Sequence, residues 1–162
     1  MKNAGILAAI GVVAILILVL FQGERPLEPA PDFSLLNLNG DVVVLSSFRG
    51  SVVILDFWAS WCRPCKETFP AVHALYERYA DRGVVLLVVS LDSSVEEIRR
   101  WMKENGYPSG EVLWGSLPEA RAVKGLYGVV GIPHTFLIDR EGYIRFDGHP
   151  RNLMAENMEE LL

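Results

Sequence analysis

Residues 51–70 read SVVILDFWASWCRPCKETFP, and the rest of the chain is best taken outward from them. Residues 51–58 form a near-continuous apolar run rich in β-branched side chains, as a strand buried on both faces requires. The run leads into Cys62-Arg63-Pro64-Cys65. Beyond it Cys65, Phe69, Val72, Tyr76 and Tyr79 recur at helical spacing along one face. Pro64 suits a first helical turn, where its missing N–H is no loss. Pro70 lies further along and is expected to kink the helix, because it removes a backbone donor.

The cysteine pair therefore sits where a buried strand turns into a helix, and it contains the only two cysteines of the 162 residues. As a structural staple so short a loop contributes only about 2 kcal/mol. As a metal site it lacks two ligands, and His73, His134 and His149 are scattered singly. A thiol at a helix N-terminus, by contrast, meets unpaired N–H groups and the positive end of the helix dipole, which favour its thiolate. Arg63 and Lys66 add positive charge beside it. Cys62 reads as the attacking thiolate, and Cys65, on the inward face, as the protected thiol that resolves a mixed disulfide.

On either side, helical and strand patterns alternate. Residues 33–44 are two short apolar runs around Asn39-Gly40-Asp41, a hairpin signal. Residues 84–91 are a second buried strand. Ser93 or Ser94 then opens a helix, with Glu96 or Glu97 completing a capping box, and Asn105-Gly106 closes it. A short strand is expected over 112–114, and a helix opened by Ser116, Pro118 and Glu119 runs to about Tyr127. Residues 135–138 and 143–146 read as strands around Glu141-Gly142, and 153–162 as a terminal helix. This order predicts an α/β domain with a mixed central sheet, helices on its faces and an antiparallel edge hairpin.

The N-terminus is of another kind. From Ala4 to Phe21 all 18 residues are apolar or glycine, with Lys2 before them and Glu24 and Arg25 after. As a helix the run would span about 27 Å, close to the bilayer's hydrocarbon thickness. No good peptidase site follows, so the run reads as an uncleaved anchor with its N-terminus inside and the remainder outside. The expected organisation is an anchor over 1–22, a proline-rich linker over 23–31 and one domain over 32–162. The mean hydropathy of +0.25 has its source mainly in that first segment. With 15 basic and 20 acidic residues, the chain has no basic footprint for nucleic acid.

Residues 53–70 resemble the active-site segment of thioredoxin-fold oxidoreductases. Residues 127–145, YGVVGIPHTFLIDREGYIR, are similar to the second signature of their membrane-anchored branch, the TlpA/ResA/DsbE-like proteins. The resemblance implies a thioredoxin fold with an extra N-terminal β-hairpin and a central insertion at about 92–119. It implies a cis-proline at Pro133 facing the cysteines, with the backbone of Ile132 pairing with substrate and Trp61 beside it. Asp56, six residues before Cys62, matches a buried acid able to take a proton from Cys65, its pKa raised by desolvation. Many relatives carry an acid three residues after the second cysteine. Thr68 stands there in this chain, and Glu67, about 100° away around the helix, does not inherit the place. His134 either tunes the thiolate or is a solvated loop histidine. Arg63 and Pro64 complete the set of expected tuning residues.

The implied activity is an extracytoplasmic, membrane-anchored protein-disulfide oxidoreductase that works as a reductant. Its substrates would be protein disulfides, apocytochrome c haem-site cysteines among them, and a membrane thiol-electron carrier would recharge it. It needs no cofactor beyond the Cys62–Cys65 disulfide. The rival reading is a copper metallochaperone using Cys62, Cys65 and His134. A peroxide reductase on the same fold would need a peroxidatic motif that this sequence lacks.

Overall fold

The computed structural model describes residues 27–107 and 112–162. The expected anchor and most of the expected linker lie outside them; among the described residues no helix is long and apolar enough to cross a membrane. The strands are β1 (Ser34–Leu36), β2 (Val42–Val44), β3 (Val52–Trp58), β4 (Val84–Ser90), β5 (Val112–Leu113), β6 (His134–Ile138) and β7 (Ile144–Gly148). The α-helices are α1 (Arg63–Tyr79), α2 (Val95–Asn105), α3 (Leu117–Leu126) and α4 (Ala155–Glu159).

Five strands form the main sheet in the order β5-β4-β3-β6-β7. The β3–β4 and β4–β5 pairs are parallel, and β3–β6 and β6–β7 antiparallel. β3 is central, and all seven of its residues are buried, as its unbroken apolar run requires. Its side chains alternate between the two faces. Trp58 packs against Phe69 of α1 and Trp101 of α2, whereas Phe57 packs against Tyr127, just past α3, and Phe136. Helices α1 and α2 thus cover one face, and the end of α3 the other. The expected central insertion supplies α2 and the edge strand β5.

The N-terminal hairpin forms as expected, with Ser34 opposite Val44 and Leu36 opposite Val42. It is a sheet of its own, joined to the main one where Asn37 bridges Leu113 and Trp114 N–H donates to the Leu36 carbonyl. The chain is already docked before it: Ile144 N–H donates to Glu28 O at 2.8 Å and Ala30 N–H to Gly142 O at 2.9 Å. The last residues of the expected linker therefore lie along the edge of β7. Pro29 costs nothing there, because an edge strand can leave one donor position empty.

Helix α1 runs through Pro70, which lies on its exposed side where solvent can satisfy the carbonyl left unpaired. Three local expectations need correction. Ser94 precedes α2 without capping it, because its hydroxyl donates to Glu96 Oε2 at 2.7 Å rather than accepting from the backbone. A capping box forms instead at α3, which opens at Ser116 as expected, with Ser116 N–H donating to Glu119 Oε2. The terminal helix is confined to Ala155–Glu159, where Met158 is its buried residue. The last strand runs from Ile144 to Gly148 rather than over 143–146, because Tyr143 closes the preceding turn.

Candidate active site

The junction after β3 is built from backbone hydrogen bonds. Cys62 N–H donates to Ala59 O at 3.1 Å, turning the chain sharply out of the sheet. Cys62 is the N-cap of α1: its Sγ accepts from Cys65 N–H at 3.2 Å, and its carbonyl accepts from Lys66 N–H. A sulfur atom thus occupies the place where a cap oxygen ordinarily takes up a free helix N–H. Cys62 and Cys65 are joined as a disulfide with Cα atoms 5.3 Å apart. Cys62 is 5% exposed and Cys65 1%, so the N-terminal cysteine is the more accessible of two well-covered residues.

The second signature meets the first at this point. The Ile132–Pro133 peptide is cis, and the Ile132 carbonyl oxygen lies 3.9 Å from Cys62 Sγ. Trp61 is 63% exposed beside it. Both residues line a groove of about 440 Å³ that continues past Leu117, Arg121 and Gly125 of α3 to Val130. Lys124 Nζ donates to the carbonyls of Val129 and Val130 and so ties the loop before Pro133 back to α3.

Asp56 stands on the same face of β3 as Trp58, under α1. It is 2% exposed and accepts a 2.6 Å hydrogen bond from Thr135 Oγ1 on the neighbouring β6. Burial raises its pKa to about 6, against the smaller opposing pull of the Thr135 bond and the His134 ring. The remaining candidates divide sharply. Arg63 is exposed and pairs with Glu67 at 3.1 Å; Glu67 also reaches Arg151 at 3.6 Å, so its carboxylate is held at the surface. Thr68 is buried, and its hydroxyl donates to the carbonyls of Pro64 and Cys65. His134 shares the Phe136 face of β6, opposite Thr135, and its Nε2 lies 2.6 Å from Asp147 Oδ1. Among the described residues no three His, Cys, Asp or Glu side chains gather as a metal site. The copper reading thus lacks its third ligand, because the strand alternation turns His134 away from the Asp56 face.

A family model described as AhpC/TSA matches residues 26–147. The chain belongs to the AhpC/TSA family. It is 34% identical over 127 residues to the thiol-disulfide oxidoreductase ResA of Bacillus subtilis, an alignment covering 76% of this chain and 69% of that protein. With the thioredoxin-like protein YneN of the same organism it shares 31% over 137 residues, 83% of this chain and 77% of the relative. The solved structure of a DsbE-type thiol:disulfide interchange protein from Chlorobium tepidum superposes with a TM-score of 0.70 at 34% identity, covering 86% of this chain and 96% of that one. This AhpC/TSA-family chain accordingly has a thioredoxin fold and is a protein-disulfide oxidoreductase of the ResA/DsbE type. Enzymes of this kind carry electrons on the cysteine pair itself, without a separate cofactor.

Two supporting residues escaped the sequence reading. Thr135, opposite Asp56 in the β3–β6 register, is one; the signal for it was a hydroxyl residue immediately after the Pro133-His134 pair. Asp92, fully buried at the end of β4, is the other. Its signal was an acid closing an apolar strand at the same sheet end as the cysteines.

Proposed function

We propose that the chain is a membrane-anchored, extracytoplasmic reductant of protein disulfides. The observation that carries the reaction is a disulfide at a helix N-terminus, with the Ile132 carbonyl on one side and buried Asp56 under the same helix. In the reduced protein the Cys62 thiolate attacks one sulfur of a substrate disulfide and expels the other as a thiolate. Cys65 then attacks Cys62 Sγ, releases the second substrate sulfur and restores the Cys62–Cys65 disulfide. Two electrons pass to the substrate. Asp56, with a pKa near neutrality, takes the Cys65 proton as that sulfur becomes the nucleophile.

Substrate chain lies against Trp61 and the Ile132-Pro133 backbone. Ile132 makes no backbone hydrogen bond among the described residues and is free to pair with an extended segment. Two glycines support the groove as a binding surface. At Gly125 and Gly131 a Cβ would meet nothing within 4 Å, and neither has a positive φ, so neither turn geometry nor packing calls for glycine. Gly125 inside α3 even costs about 1 kcal/mol relative to alanine; what it does is keep the groove open. Gly125→Phe is expected to fold normally and raise KM for a protein disulfide about tenfold, an effect of ~1.4 kcal/mol. Reduction of a small aromatic disulfide, which does not need the groove, gives the comparison rate. An unchanged KM for the protein substrate would remove the groove from the docking surface.

The apolar run at residues 4–21 supports anchoring, and the ResA-type resemblance supports apocytochrome c haem-site cysteines as acceptor and a membrane thiol-electron carrier as donor. The reduced full-length protein, incubated with a peptide whose Cys-x-x-Cys-His cysteines are oxidised, should convert it to the dithiol stoichiometrically. A midpoint potential near about −270 mV or lower fits this direction of flow. A midpoint near about −120 mV would reverse it and make the protein an oxidant.

A further inference from the structure

The turn that carries Cys62 is gripped from outside its own strand and helix. Asp92 follows β4, is fully buried, and forms no ion pair among the described residues. Its carboxylate accepts from Ser60 N–H at 2.9 and 3.2 Å, from Ser60 Oγ at 2.6 Å and from Ser90 Oγ at 2.6 Å. The backbone of Asp92 is fixed as well: its N–H donates to Ser90 Oγ, and its carbonyl accepts from Trp114 Nε1 at 3.2 Å. Ser60 lies inside the Ala59–Cys62 turn, one residue before exposed Trp61 and two before Cys62.

A buried carboxylate without a cation is an expensive way to hold a loop. If packing were its whole purpose, an apolar residue of similar size would serve as well or better. What the carboxylate adds is direction, because it takes up both the N–H and the hydroxyl of a single residue. We propose that Asp92, through Ser60, is the positioning residue of the redox turn. It holds Cys62 Sγ at the Cys65 N–H and the Ile132 carbonyl, in line for an incoming disulfide. Asp92 touches no reacting atom; it acts through Ser60. The proposal rests on the reading of Cys62 as the attacking thiol.

The test uses the reduced protein and a protein-disulfide substrate, with the rate constant for Cys62 attack measured separately from thermal stability. Asp92→Ala is expected to slow attack about tenfold in molecules that remain folded, a loss of the kind small misplacements of a reacting atom produce. Asp92→Asn, which keeps an oxygen for Ser60, restores the rate to within about threefold of wild type. Ser60→Ala slows attack about threefold in the wild-type background and not at all in the Asp92→Ala background, the non-additivity expected of one linked pair. A stability loss in Asp92→Ala with an unchanged attack rate would overturn the inference and leave Asp92 a packing residue, and additive effects of the two substitutions would equally overturn it. Should Asp92→Ala not fold, Ser60→Ala alone decides: a slowed attack sustains the inference and an unchanged one ends it. A wild-type protein that reduces no disulfide would instead defeat the proposed function, so the two failures are distinguishable.

Discussion

Cys62→Ser is expected to lower the rate of disulfide reduction about a thousandfold or more, because a serine hydroxyl offers no thiolate and cannot form the mixed disulfide. Cys65→Ser is expected to behave differently. Its Cys62 still attacks, but nothing resolves the product, so a covalent protein–substrate complex accumulates, visible on a non-reducing gel and released by dithiothreitol. The asymmetry follows from geometry. Cys62 caps the helix and lies against the Ile132 carbonyl, whereas Cys65 is almost wholly enclosed on the inner face of α1. Accumulation of the complex by Cys62→Ser and not by Cys65→Ser would invert the assignment of attacker and resolver.

Asp56→Asn should separate stability from turnover. In the folded protein the Asp56 carboxyl keeps its proton up to about pH 6, whereas an unfolded aspartate loses it near 3.8. Between those values the folded state binds more protons, so stability falls as pH rises through the window. The full difference, reached above pH 6, is about 3 kcal/mol. Asp56→Asn removes the ionisation and is expected to be more stable than wild type at pH 8 by about 1–3 kcal/mol, its buried amide offsetting part of the gain. Resolution by Cys65 should slow about a hundredfold, the low end of what a positioned proton acceptor contributes. Urea unfolding at pH 5 and pH 8, with single-turnover release of substrate thiol, checks both halves. Equal wild-type stability at the two pH values would rule out the raised pKa, and an unimpaired resolution step would remove Asp56 from the reaction.

The features legible in the sequence were those whose signal is local. The apolar run of β3, the proline in the first turn of α1 and the spacing from Cys65 to Tyr79 each identify an element within a few residues, and the cysteine junction follows from their order. Asp56 was legible as a buried acid because apolar residues surround it on both sides. His134 was not, because its direction depends on the register of β6 against β3, where Thr135 and not His134 shares the Asp56 face. The hold of Asp92 on Ser60 spans 32 positions along the chain, and no periodicity reports a contact of that range. The capping of α2 failed for a related reason: two serines and two glutamates were each suitable, and Ser94 gave its hydroxyl to Glu96 instead.

On the proposed anchoring, the docking of Glu28 and Ala30 along β7 would set the radius within which the catalytic domain can search. With residues 4–21 as the proposed anchor, seven peptide units separate Phe21 from Glu28, and fully extended they reach no more than about 25 Å. That is less than the width of a small protein. The domain would then be confined to a thin shell against the lipid, its encounters with other membrane-bound proteins would be two-dimensional, and the local concentration of such partners would be raised accordingly. A substrate free in the compartment would have to come to the surface to be reduced, whereas the proposed membrane-held electron donor would share the plane of the enzyme.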